Sequence, residues 1–220
     1  MNLKNFNFQI IFSLVLVVLC GFSCSSTQPK IASVHYSYVY EFTAEKSACN
    51  EYMSVFVKLS SDENRVSALQ VYNEELNYEW DFSDIEKVKS GKNCYVGYSN
   101  LVMDGGKSFP DGEYLVTYTD LAQRQDEISF TLKKLDSMKT KDDNFVTARD
   151  VRRGKAGKEC TLKRMAFFDA DGNELFCGNY NEKMEDKAEI AELFPSAKYS
   201  QIFYTTKDSK SVIILPKEKI

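Results

Sequence analysis

Residues 33–42 read Ser-Val-His-Tyr-Ser-Tyr-Val-Tyr-Glu-Phe, with an apolar or aromatic side chain at every second position. Because successive side chains of a strand point to opposite faces, this period of two predicts a β-strand with one buried face. His35, the single histidine of the chain, falls on the opposite, polar face. The predicted buried face consists of Val34, Tyr36, Tyr38, Tyr40 and Phe42.

Further strand-like runs follow at short and regular intervals along the chain. They span residues 52–59, 66–72, 76–82, 94–98, 114–119 and 128–132. A series of short strands at such a spacing is typical of a β-sandwich. We therefore expect a mainly β protein.

Residues 109–120, Phe-Pro-Asp-Gly-Glu-Tyr-Leu-Val-Thr-Tyr-Thr-Asp, refine this expectation. The segment resembles the strand entry of immunoglobulin-like and fibronectin-type domains, in which a turn with proline and glycine precedes a tyrosine. The resemblance implies that Tyr114 forms a tyrosine corner, with its hydroxyl bonded back to the chain. Antibody domains carry a cysteine two residues later, where this chain has Val116, which excludes the antibody family itself. We expect an immunoglobulin-like sandwich over residues 31–135.

The last part of the chain predicts a small α+β domain over residues 159–220. Two hairpins, 160–168 with 174–178 and 199–205 with 211–215, flank a helical pattern that Pro195 ends. The predicted element order is therefore β-β-α-β-β. The helical spacing is carried by Met184, Ala188, Ala191 and Phe194.

A basic segment separates the two predicted domains. Residues 133–158 hold nine Lys and Arg against four Asp and Glu. Charge runs of this kind are mostly solvated, so we interpret residues 136–158 as a linker. A patch for anionic lipid headgroups or a cell-wall polymer is the alternative interpretation.

The amino terminus has the layout of a secretory signal over residues 1–23. Lys4 is followed by an apolar run over residues 10–20 and then by small residues up to Cys24. The run is too short to span a bilayer, which takes about 20 apolar residues.

Residues 21–26, Gly-Phe-Ser-Cys-Ser-Ser, resemble the lipobox of bacterial lipoproteins, with Ser23 directly before the modified cysteine. The resemblance implies that Cys24 becomes the amino terminus and carries acyl chains such as palmitate. Two acyl chains hold a protein on a membrane far more firmly than the marginal hold of one. We expect a tether over residues 24–30 and a place in the cell envelope, on the outer rather than the inner membrane.

Four cysteines follow Cys24, and an even number suggests disulfides in an exported protein. They allow three pairings, and the sequence does not choose among them. A two-residue turn at residues 171–172 would set Cys177 opposite Ala166, roughly 20 Å from Cys160 at strand spacing. A Cys160–Cys177 bridge therefore fits poorly with a plain hairpin. The disulfide candidates are Cys49, Cys94, Cys160 and Cys177.

The sequence narrows the possible functions mainly by exclusion. A net charge of −4 argues against nucleic acid as a partner, and a single histidine cannot build a paired-histidine zinc site. We predict no catalytic residues, no metal and no cofactor. Tyr78, Trp80 and Phe82 share one strand face, and burial is favoured over stacking on a sugar.

The function expected is a membrane-anchored binding module without enzymatic activity, with an unidentified protein or glycan as partner. That step rests on an analogy with what other sandwiches do. The alternatives are a periplasm-facing accessory lipoprotein of envelope assembly and, with less support, a hydrolase of glycans or the cell wall. Two close carboxylates in a cleft would favour the hydrolase.

Overall fold

The computed structural model describes residues 28–60, 63–139 and 145–220, and these form a mainly β protein with two sheets, as predicted. The predicted signal and Cys24 lie outside the described residues. The strands are β1 (Ile31–Glu41), β2 (Asn50–Leu59), β3 (Val66–Asn73), β4 (Tyr78–Phe82), β5 (Glu86–Ser90), β6 (Asn93–Leu101), β7 (Gly112–Asp120), β8 (Gln125–Leu132), β9 (Leu162–Phe168), β10 (Glu174–Asn179), β11 (Tyr199–Thr205), β12 (Ser211–Ile214) and β13 (Glu218–Lys219). The helices are α1 (Ala148–Arg152) and α2 (Lys187–Leu193).

The two sheets pack face to face in a sandwich-like arrangement. The larger sheet has the order β10-β9-β11-β12-β1-β2-β6-β5, with β13 added to β11, and the smaller sheet has the order β4-β3-β7-β8. The immunoglobulin-like identity of this arrangement stays a prediction. Strand β5 was not predicted, because all five of its residues are exposed and carry no apolar alternation.

The alternating pattern of β1 builds the main core. Tyr38 and Tyr40 are fully buried on the inner face, and their ring centroids lie 5.0 Å apart. Antiparallel pairing of Tyr38 with Met53 and of Tyr36 with Val55 gives β2 the same inner face. The opposing sheet supplies buried aliphatic side chains, so the interior is closed by both layers.

Strand β12 joins the end of the chain to its beginning. It runs parallel to β1, with Tyr38 opposite Ser211 and Glu41 opposite Ile214. Through this pairing, all four strands predicted for residues 159–220 extend the sheet that contains β1. The division into domains at residues 31–135 and 159–220 stays a prediction, and the two segments share one continuous sheet.

The basic segment packs against the protein over its described residues. Thr147 caps α1 by accepting a hydrogen bond from the Asp150 amide, and the Asp150 carboxylate accepts one from the Thr147 amide. Apolar residues lie between the charged residues of this segment, and several of them are buried in the main core. These buried residues are Met138, Val146, Ala148, Val151 and Ala156.

A second, smaller core lies under α2. Phe167 and Ile190 are buried there, and the rings of Phe176 and Phe194 pack against Phe167 at 6.0 and 5.0 Å. Cys177 pairs with Ala166 as predicted, but the turn holds three residues instead of two, and an irregularity between Glu174 and Phe176 restores the register. Neither helix of the described residues is long and apolar enough to cross a bilayer.

Candidate binding cleft beside strand β1

A cleft of about 600 Å³ lies beside the first half of β1. We call it the β1 cleft. It forms because β12 pairs only with residues 38–41 of β1, while the turn before β12 reaches β1 only as far as Ser37. Its lining comes from residues 34–37 of β1, Ser54 and Phe56 of β2, Phe130 and Thr131 of β8, and residues 208–210 of the turn.

The floor of the β1 cleft is aromatic. The ring of Tyr36 stacks on Phe130 with centroids 4.4 Å apart, and Phe130 in turn stacks on Tyr114 at 5.4 Å. The Tyr36 hydroxyl donates a hydrogen bond of 2.6 Å to the Thr131 carbonyl. Burial, and after it the Asp208 carboxylate, raises the pKa of Tyr36. Tyr36 therefore stays a neutral hydrogen-bond donor at physiological pH.

The turn between β11 and β12 closes one end of the cleft. The Asp208 carboxylate accepts hydrogen bonds from the Thr206 hydroxyl at 2.7 Å and from the Lys210 amide at 3.1 Å. The hydrogen bond from Thr206 is the main reason why the pKa of Asp208 is lowered. The Lys210 ammonium lies 5.4 Å from the Tyr36 ring centroid, on the ring's face. One cation, one anion and an aromatic ring thus meet at this end.

His35 is exposed at the rim, where the strand pattern placed it. Its Nε2 lies 3.0 Å from the Ser33 hydroxyl, and its ring meets Tyr95 edge-on at 5.2 Å. A catalytic serine–histidine pair needs a third group that orients the histidine. Among residues 28–60, 63–139 and 145–220, no carboxylate bonds to the imidazole. The pair therefore lacks the arrangement of a triad.

A second cleft, of about 520 Å³, lies at the other end of β1. There the Glu51 carboxylate accepts hydrogen bonds from the Tyr38 and Ser108 hydroxyls, and the Lys134 ammonium donates to Ser108 at 2.7 Å. Sequence reasoning missed this cluster, because its members are brought together from segments that lie far apart in the chain. A lysine base must be neutral and desolvated to activate serine. Lys134 is only half-buried, which does not favour that chemistry.

Two carboxylates line the second cleft, but they do not form a facing pair. Glu41 pairs with Asn50, and Tyr40 pairs with Glu51. Side chains of paired residues share a face, and neighbouring residues alternate, so Glu41 and Glu51 leave the sheet on opposite faces. This arrangement does not provide the two carboxylates across a bond that glycoside hydrolysis uses.

The four described cysteines are free thiols in the structure. Cys94 lies beside Tyr95, the partner of Lys58, whereas Cys49 lies beside Asn50 at the far end of β2. Asn50 and Lys58 are eight positions apart on β2, roughly 26 Å at strand spacing. A Cys49–Cys94 bridge is incompatible with this register, because disulfides need Cα atoms within about 7 Å. The register of Cys177 likewise disfavours a bridge to Cys160.

Tyr114 lies on β7 behind the aromatic floor and is fully buried. Its hydroxyl donates a hydrogen bond of 3.0 Å to the Pro110 carbonyl, four residues upstream. Trp80 stacks on Phe109 beside it at 5.3 Å and donates through Nε1 to the Val102 carbonyl. The predicted aromatic face of β4 thus packs inward at its tryptophan.

Within the described parts of the chain, no group of three or more His, Cys, Asp or Glu side chains could hold a metal ion. The convergence of Tyr36, Phe130 and the turn at residues 208–210 is the feature that sequence reasoning missed. Nothing in the sequence signals it, because the parallel pairing of β12 with β1 joins residues more than 170 positions apart.

No known protein family matches this chain, and no curated protein resembles it in sequence.

Proposed function

We propose that this protein is a lipid-anchored interaction module of the bacterial cell envelope, without enzymatic activity, that binds its partner in the β1 cleft. The observation that carries the proposal is the cleft itself, with a stacked aromatic floor and a charged turn at one end. Binding sites are typically concave, largely apolar and supplied with a few convergent polar groups. The β1 cleft is concave, has aromatic side chains on its floor, and carries polar and charged groups around them.

The anchor proposed at Cys24 would hold the cleft near the membrane. Twelve residues separate Cys24 from Tyr36, so a fully extended tether and strand would reach at most roughly 40 Å. The small core around Phe167 lies farther along the strand direction, beyond the paired end of β1. The partner would then be met within roughly 40 Å of the lipid surface.

A non-enzymatic role is supported by the state of the two nearest candidates for chemistry. The Ser33–His35 pair has no orienting carboxylate among the described residues, and Ser108 donates to Glu51 beside a half-buried lysine. Neither arrangement combines an activated nucleophile with a positioned base.

The anchor is tested by growing cells with an alkyne-bearing palmitate and detecting label on the purified protein. We expect the natural chain to be labelled and the Cys24→Ser variant to be unlabelled and released from membranes. Equal labelling of both proteins would place the lipid on another residue. No label on the natural chain would contradict a palmitate anchor. Protease treatment of intact cells, with a periplasmic control protein, then shows whether the cleft faces outward or into the periplasm.

The binding role is tested by photocrosslinking in living cells. A benzoylphenylalanine at Ser37, inside the β1 cleft, is compared with one at Leu121, an exposed position on the β7–β8 turn. We expect a crosslinked adduct from position 37 and none from position 121. Absence of an adduct at position 37, with normal protein levels, would contradict a partner in this cleft.

A further inference from the structure

We propose that the β1 cleft takes an extended peptide, which adds as a strand to the free edge of β1 over residues 33–37. This inference rests on the proposed binding function and names the class of partner. Beside β1, β12 pairs with residues 38–41 and leaves residues 33–37 without a neighbouring strand on that side. We call this open position beside residues 33–37 the lane, and the peptide would lie there. Adding a strand to a sheet edge is a recurrent mode of peptide recognition.

The main-chain hydrogen bonds of β1 fix which groups face this lane. The Tyr38 amide donates to the Lys210 carbonyl, and the Phe42 amide donates to the Ile214 carbonyl. Even-numbered residues of β1 therefore point their amide and carbonyl groups toward β12. By the same alternation, Val34 and Tyr36 point theirs into the open lane. Among the described residues no main-chain partner bonds to these groups.

The edge of β8 forms the opposite wall. The Asp120 amide donates to the Arg124 carbonyl, which sets even-numbered residues of β8 toward β7 and odd-numbered ones toward the cleft. Thr131 is odd-numbered, and its carbonyl does point toward the cleft, where it accepts a hydrogen bond from the Tyr36 hydroxyl. The lane is thus bordered by main-chain groups on both sides.

The open stretch of β1 lacks the charges that protect most other edges. Proteins blunt exposed strand edges with charged side chains, especially lysine, to prevent pairing. Residues 33–37 carry no formal charge with histidine neutral. The other edges do carry charges: Glu86, Lys87 and Lys89 on β5, Glu79 and Asp81 on β4, Asp126 and Glu127 on β8, and Glu174 on β10.

The ends of the lane set the length of the segment that fits. At one end the turn closes the lane through the Ser37 hydroxyl, which donates to the Ser209 carbonyl at 2.8 Å. At the other end the Ile31 amide donates to the Asp126 carboxylate at 2.6 Å. Five residues of β1, 32–36, lie between these two ends, which are roughly 20 Å apart along the strand. A peptide segment of four or five residues fits this span.

The chemistry of the lining favours a peptide over a glycan. Sugars bind flat on an open aromatic face, but Phe130 covers one face of Tyr36 and the Lys210 ammonium lies over its ring. Two unpaired amide–carbonyl sets, two residues apart, match the repeat of an extended main chain. The partner's side chains would alternate, with apolar ones toward Tyr36 and small polar ones toward Ser37 and Ser54.

The experiment selects peptides from a phage-displayed library of random dodecamers on the mature chain, residues 24–220, carrying Cys24→Ser. Selected peptides are synthesised and their affinities measured by calorimetry against this chain, Val34→Pro and Val34→Ala. Proline removes the amide that faces the lane, whereas alanine retains it. We expect at least a tenfold loss with proline and less than a threefold change with alanine.

A measurement on the peptide side does not depend on the folding of the proline variant. N-methylation of successive residues of a selected peptide should weaken binding at least tenfold at alternate positions only. Hydrogen exchange should show new protection at the amides of Val34 and Tyr36. Failure to select any peptide, or affinity indifferent to alternate N-methylation, would overturn strand addition.

The same outcomes separate this inference from the proposed function. If no peptide binds but the benzoylphenylalanine at position 37 still captures a partner, the binding role stands and strand addition is wrong. If soluble cell-wall oligosaccharides freed of their stem peptides bind and Val34→Pro leaves that binding unchanged, the partner is a glycan. If no peptide is selected and no adduct forms, both proposals fail.

Discussion

At the scale of single residues, the stacked row of Tyr36, Phe130 and Tyr114 connects the surface of the cleft to the core. Burial raises the pKa of Tyr114, and its hydroxyl reaches the Pro110 carbonyl. The bond therefore involves a neutral donor that water cannot easily replace. Tyr114 therefore supports both the turn before β7, through Pro110, and the cleft floor, through the ring of Phe130.

Removing this hydroxyl should lower stability without changing the fold. We expect Tyr114→Phe to reduce the free energy of unfolding by about 1 kcal/mol, as for a typical buried hydrogen bond. Urea unfolding, followed by the fluorescence of the single tryptophan, measures the change. Tyr199→Phe, at an exposed position, is the matched control and should leave the midpoint in place. An equal effect of both variants would contradict the role of the corner.

The thiols should differ strongly in reactivity. Burial raises the pKa of Cys49 and of Cys160 to about 12, so little thiolate exists at neutral pH, whereas Cys177 is exposed. We expect Ellman's reagent at pH 8 to modify Cys177 first in the folded Cys24→Ser chain. Denaturant should make all four thiols of this chain reactive when it is prepared as residues 24–220. A Cys177→Ser variant that retains the fast phase would contradict this assignment.

At the scale of elements, the contact between β2 and β6 depends on one glycine. A Cβ atom added at Gly97 would lie 2.2 Å from the Val55 carbonyl oxygen and 2.6 Å from Phe56 Cα. Both are backbone atoms, so the two strands themselves would have to separate. Gly97 therefore permits a close approach that no other residue allows.

We expect Gly97→Ala to destabilise the protein by about 1–3 kcal/mol, the usual cost of overpacking. Gly157→Ala is the control, because its new Cβ would meet only one atom, at 3.4 Å. Thermal unfolding by circular dichroism compares the two variants. A Gly97→Ala protein as stable as the control would show that the strands separate at little cost.

Individual strands differ in how far the sequence predicts them. The pattern of β1 predicted its buried face, and the Asp-Gly pair predicted the register of β9 with β10, because both signals are local. Strand β5 has no apolar alternation, and the pairing of β12 with β1 depends on distant residues. The cleft could not be predicted for that reason: it is an unfilled lane, defined by where a distant strand begins.

At the scale of the whole molecule, acid should weaken the fold. The guanidinium of Arg124 bonds to the Asp120 carboxylate at 2.7 Å and holds the pKa of Asp120 below its usual value. A carboxyl with a lowered folded pKa contributes stability above its unfolded pKa, about 3.9, and loses it as pH falls through the folded value. The melting temperature should therefore fall steeply below about pH 4.

Asp120→Asn separates this carboxylate from the others. We expect the variant to melt lower than the natural protein at pH 7 and the difference to shrink as pH falls below about 4. Melting curves between pH 7 and pH 2 measure both. A difference that stays constant over this range would assign the effect of the substitution to packing instead.

The parallel pairing of β1 with β12 also governs when the protein can finish folding. Strand β1 cannot pair with β12 until the chain has been synthesised as far as residue 214. For a polypeptide threaded through a translocation pore from its amino end, the central strand of the sheet would wait, unfinished, until almost all of the chain has crossed. Contacts between distant residues form slowly because a long loop must close first. If the chain is exported as proposed, it would stay unfolded enough to be threaded, and its sheet would be completed only on the far side of the membrane.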